Sequence, residues 1–178
     1  MKKGSVYLIV FLCAFFIVNA VCYKRKLHFK FDFPNEMSAV YKGKDTTIVI
    51  SDSTAKFVIL YDSTLCTLCQ TSNLFIWDYF TSQNSEGFQT LIIFSANQGD
   101  MSSVKDGLKQ MQYDFPVYID SGYSFMKMNL DYLWGDINNH FFLLDENQEI
   151  SILGFPFLEK EKEEEYIEAV ENFKFRMR

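Results

Sequence analysis

The chain has 178 residues, enough for one domain plus a short leader. Hydrophobic residues make up 48% and aromatics 17%, with 19 Phe and 10 Tyr but only 3 Pro and 8 Gly; this excludes a disordered chain and long flexible linkers. The net charge of −6 argues against nucleic acid as a partner, because phosphate binding needs a basic face.

Residues 1–22 read as a signal peptide or a membrane anchor. Lys2 and Lys3 form a basic start, and Val6 to Val18 is an uninterrupted apolar run. Three outcomes stay open for this leader. Val18-Asn19-Ala20 fits a leader-peptidase site. Asn19-Ala20-Val21-Cys22 resembles a degenerate lipobox, which would lipidate Cys22. The basic Lys24-Arg25-Lys26 instead disfavours cleavage and suits a retained anchor, with residues 6–22 in the membrane. The expected location is the bacterial cell envelope, membrane-anchored and facing the periplasm; the alternative is the opposite anchor orientation, with the body in the cytoplasm, because the basic residues on the two sides of the apolar run nearly balance.

Residues 23–55 read as an N-terminal extension. Leu27 to Phe33 alternates loosely, as a strand would. Ala39 to Ile50, with Gly43 at its centre, predicts a β-hairpin in front of the core. From residue 56 to 178 the pattern is that of one α/β domain. Phe57–Tyr61 is a continuous apolar run, as a buried central strand requires. Asp62, Ser63 and Thr64 are N-cap candidates for a helix from about Leu65 to Phe80. Thr90–Ser95 is a second buried strand. Met101, Val104, Leu108 and Met111 recur at helical spacing behind Asp100 as a cap. Phe115–Ile119 predicts a third strand with Pro116 near its start, and a short helix carries Phe125, Met126 and Leu130. Phe141–Leu144 and Ile150–Leu153 make a hairpin through the turn Asp145–Gln148. Glu161–Phe173 closes the chain as an amphipathic helix with an acidic start.

Of four cysteines, at 13, 22, 66 and 69, only the last two belong to the body. In a non-reducing compartment a lone CxxC is either catalytic or a local bridge. A thiolate at a helix start is stabilised by unpaired N–H groups. Cys66, at the predicted helix start, is therefore the expected attacking thiol, and Cys69, one turn on, the resolving thiol. Zinc would lack a fourth ligand, and no metal or other cofactor is expected. Trp77 and Trp134 either pack in the core or line a partner groove.

The runs FVILYDSTLCTLC, FPVYID and NNHFFLLDENQEISILGFP agree in order and spacing with the redoxin branch of thioredoxin-like proteins, which they resemble. Residues 57–173 resemble the TlpA-like group, and within it small lipoprotein-like envelope redoxins with a CxxC site. The resemblance implies a thioredoxin-like fold: a mixed central sheet flanked by helices, here with an N-terminal β-hairpin extension. It implies thiol–disulfide exchange through Cys66 and Cys69, with protein thiols and disulfides of the envelope as partners and a membrane component as a candidate electron donor. It also implies a substrate loop at Asn138, Asn139 and His140. Two departures stand out: Asn139 occupies the position of the family's loop proline, and Leu60 occupies that of a buried acid in thioredoxin. The competing expectation is a non-catalytic thioredoxin-fold binding module of the envelope with a structural or vestigial CxxC.

Overall fold

The computed structural model describes residues 30–62, 74–129 and 140–176. Strands β1 (Glu36–Tyr41) and β2 (Lys44–Val49) form an antiparallel hairpin. Its two turn residues, Lys42 and Gly43, both have positive φ, at 49° and 73°. That is the tight turn whose twist matches a hairpin. Gly43 also lies against the next layer: a Cβ there would sit 3.1 Å from the Lys109 carbonyl oxygen.

β3 (Ala55–Asp62) and β4 (Phe88–Ala96) pair in parallel, and β5 (Val117–Ser121) continues the parallel set beside β4. Most residues of β3 and β4 are buried because both faces of these strands are covered. A 3₁₀ turn at Leu74–Trp77 leads into α1 (Asp78–Ser82). α2 (Met101–Met111) buries Met101, Val104 and Leu108, while Met111 is exposed. Asp100 does not cap α2 through its side chain; its carbonyl instead accepts the Val104 N–H at 3.2 Å. α3 (Ser124–Met128) follows β5. β6 (Phe141–Leu144) and β7 (Ile150–Leu153) form the second hairpin, with a register shift at Leu143–Leu144. α4 (Lys160–Arg176) presents Tyr166, Val170 and Phe173 to the core, one face at i, i+4 and i+7.

The seven strands lie in one mixed sheet, ordered β2-β1-β5-β4-β3-β6-β7. β1 pairs antiparallel with β5, so the N-terminal hairpin extends the sheet. β6 pairs antiparallel with β3, with Phe141 opposite Ile59. The predicted strand at Leu27–Phe33 is reduced, among described residues, to one bridge between Lys30 and Glu149. Phe31 is nonetheless buried, stacked on Phe142 at 4.4 Å between centroids.

The two sheet faces carry separate apolar clusters. One joins Phe57, Ile59, Trp77, Phe80, Ile92 and Phe94 to residues of α2 and α4. The other joins Phe31, Val58, Leu60, Ile93, Tyr118 and Phe125 with Phe142 and Leu144.

Candidate active site

The inner parallel strand β3, between β4 and β6, ends at Asp62. Cys66 follows four residues later in the sequence. In open α/β sheets this end of the strands is where ligands and reacting groups gather. Cys66 and Cys69 themselves lie outside the described residues, as do Asn138, Asn139, Cys13, Cys22 and Trp134.

His140 is described and half-buried. It immediately precedes β6, whose first residue, Phe141, is opposite Ile59. The ladder to β3 begins at Phe141, one residue after His140. Leu60 is 2% exposed within the second cluster. An apolar side chain thus fills the position where the resemblance places a buried acid in thioredoxin.

The described stems of this region meet at Trp77. Its side chain is fully buried, so it packs in the core and does not line an open groove. The indole Nε1–H donates to Tyr61 Oη at 2.8 Å. The ring lies 5.7 Å from Phe57, 5.6 Å from Phe141 and 5.6 Å from Phe157. Tyr61, one residue before the end of β3, stacks on Phe94 at 4.8 Å. Burial raises the Tyr61 phenol above its ordinary range, and the hydrogen bond from Trp77 pulls partly back. Tyr113 is pushed up to about 12 by burial, with Tyr61 adding to the effect. Phe75 and Ile76, neighbours of Trp77, are exposed, and Phe75 rests 5.1 Å from Tyr113.

One buried carboxylate at the same end of the sheet was not anticipated from the sequence. Ser95 on β4 is in register with both Asp62 and Asp120. Asp120 is 1% exposed and accepts from Ser95 Oγ (2.8 Å), Ser124 Oγ (2.7 Å) and the Phe125 N–H (2.8 Å). These donors occupy its oxygens and fasten the start of α3 to β5. The carboxylate is thereby committed to capping. An Asp closing an apolar strand and followed four residues later by Ser-Phe was the available signal.

Among the described residues, no group of three or more His, Cys, Asp and Glu is placed to hold a metal ion. No helix among them is long and apolar enough to cross a membrane.

No family model and no curated protein matches the sequence. Solved structures do match the fold. The exposed lipoprotein thioredoxin of Streptococcus pneumoniae aligns with a TM-score of 0.51 at 13% identity, over 75% of this chain and 98% of that one. A thiol:disulfide interchange protein of the thioredoxin family from Chlorobium tepidum aligns at 0.50 and 16% identity, over 78% and 97%. The chain has a thioredoxin-like fold.

Proposed function

We propose that this protein is a membrane-tethered thiol–disulfide oxidoreductase of the bacterial cell envelope, acting on protein disulfides through Cys66 and Cys69. One observation carries the reading: in a thioredoxin-like fold, the chain's only CxxC begins four residues after the inner parallel strand β3. In the reductive direction the Cys66 thiolate attacks a client disulfide. A Cys66–client bond forms, and the other client sulfur leaves as a thiolate and takes a proton. The Cys69 thiolate then attacks the Cys66 sulfur, closing the Cys66–Cys69 disulfide and releasing the second client thiol. Two electrons have passed from protein to client. The reverse sequence oxidises a client. Asn138, Asn139 and His140 would be the substrate segment beside which the client chain lies, and residues 1–22 would hold the domain at the membrane as an anchor or, after processing, through a lipid on Cys22.

A second reading, a non-catalytic binding module of the envelope, draws on Leu60, whose apolar side chain replaces the buried acid. Trapping separates the two. With Cys69→Ser, mixed disulfides on Cys66 should accumulate in cells and be released by reductant. Their absence would favour the binding module.

A further inference from the structure

A pocket of about 420 Å³ opens by the amino ends of β3, β4 and β5, and the exchange reading makes no use of it. Ile48, Phe88 and Pro116 give it apolar walls, and the segment crossing from β2 to β3 borders it. That segment is held in place. The buried Lys56 ammonium donates to the Ser51 carbonyl and to the Thr54 carbonyl (2.8 Å), and both residues line the pocket. Two polar side chains complete the lining. Tyr118 is 1% exposed, and its hydroxyl accepts from Gln89 Nε2 at 3.1 Å. Burial pushes this phenol up to about 12, against the pull of the Gln89 bond, so it keeps a proton to donate. Gln89 Oε1, on the same amide, is buried without a hydrogen-bond partner. A buried acceptor left unmatched is costly. Turning the amide over exchanges donor and acceptor but still strands one of its two polar atoms.

We propose that this pocket binds a peptide-type amide carrying a small apolar side chain. The amide N–H donates to Gln89 Oε1, its carbonyl accepts from the Tyr118 hydroxyl, and its side chain lies against Ile48, Phe88 and Pro116. Gln89 is half-buried, and the broad terminal torsion of glutamine lets Oε1 turn toward an occupant. An amide fits because one planar group supplies both a donor and an acceptor. A carboxylate does not fit: it has no donor for Oε1, and Glu86 on the pocket wall repels it. The size and the few convergent polar groups in an apolar lining are those of small-molecule sites. The proposal does not depend on exchange chemistry.

The test is an NMR titration of the full chain in detergent with N-acetyl-leucinamide, read at the Gln89 side-chain amide and the Tyr118 ring. Both should shift saturably, with a Kd on the order of a millimolar, as suits a ligand of this size. N-acetyl-leucine, the carboxylate counterpart, should bind at least about tenfold more weakly. Gln89→Met keeps the side-chain length and removes both polar atoms, and Tyr118→Phe removes one hydroxyl. Each should weaken binding of the amide about five- to tenfold, the loss of one net hydrogen bond. Thermal melts show which variants fold, and either one that does carries the comparison. Equal affinity for the amide and the carboxylate would overturn the assignment of ligand class. Unchanged affinity in a folded variant, or shifts that do not saturate, would overturn the site. No shift at all would leave the pocket to bound water and overturn it too.

Discussion

The two faces of the sheet are buried by different means. On the face covered by α1, α2 and α4, Phe57 packs 4.2 Å from Phe80 and 5.3 Å from Tyr166 in an almost purely apolar layer. The opposite face mixes its apolar cluster with buried polar groups. Lys56 is fully buried, its ammonium donating to the Ser51 carbonyl, the Thr54 carbonyl (2.8 Å) and Gln148 Oε1 (2.6 Å). Asn129 exchanges hydrogen bonds with the Asp32 backbone at 3.0 Å in both directions, and Asp120 caps α3. The first face is held by area removed from water, which is non-directional. The second depends on partners that must each be present, because a stranded polar group costs more than its bond contributes.

The sharpest way to break this contrast is from the aromatic side. Phe57→Ala should destabilise the domain by about 3–5 kcal/mol in urea unfolding, as a large cavity opens between α1, α4 and the sheet. A loss below about 1 kcal/mol would mean that this layer is not the main source of stability.

Next comes Lys56. Lys56→Ala strands three acceptors and should cost about 2–3 kcal/mol. Its pH dependence sharpens the point. Burial lowers the Lys56 pKa from 10.5 to about 8, against the pull of Asp52. Between these values the unfolded chain holds a proton that the folded chain releases. Stability should therefore gain a rising contribution from about pH 8 to 10.5, with its penalty fully present below pH 8. Lys56→Met should remove that contribution. Equal pH slopes in parent and variant would show that the three carbonyl acceptors keep the ammonium charged throughout.

Smaller again, Asp120→Ala should cost about 1–2 kcal/mol through loss of the α3 cap, measurable by denaturant titration. The least effect is expected outside both faces. Lys109 Nζ lies 2.6 Å from Asp45 Oδ2, joining α2 to the hairpin in partly exposed surroundings. Lys109→Ala should cost less than about 1 kcal/mol, and added salt should shrink the difference.

The same contrast governs what can be read from sequence. Apolar elements announce themselves: Met101, Val104 and Leu108 recur at helical spacing, and FVIL and LIIF are unbroken apolar runs that serve both faces. Gly43 marks the hairpin turn because only its conformation and its lack of a Cβ suit that place. Lys56 looks like an ordinary lysine at a strand start; its burial depends on Gln148, 92 residues away. Gln148 reaches back from a turn in which its own φ is 67°. No local pattern encodes such a pairing. Asn129 likewise depends on Asp32, and Trp77 on Tyr61, partners that no local pattern names. The dithiol is the opposite case: Cys66 and Cys69 are legible as a motif before any fold is known, and the fold adds that the strand preceding them in sequence is the inner parallel strand β3.

The central claim, that Cys66 and Cys69 exchange disulfides with clients, is tested most directly by an equilibrium titration of this couple against glutathione in the Cys13→Ser, Cys22→Ser chain. Exchange chemistry predicts a midpoint above about −300 mV, in the range of working dithiols. A midpoint below that value, where structural bridges resist the glutathione pool, would contradict it.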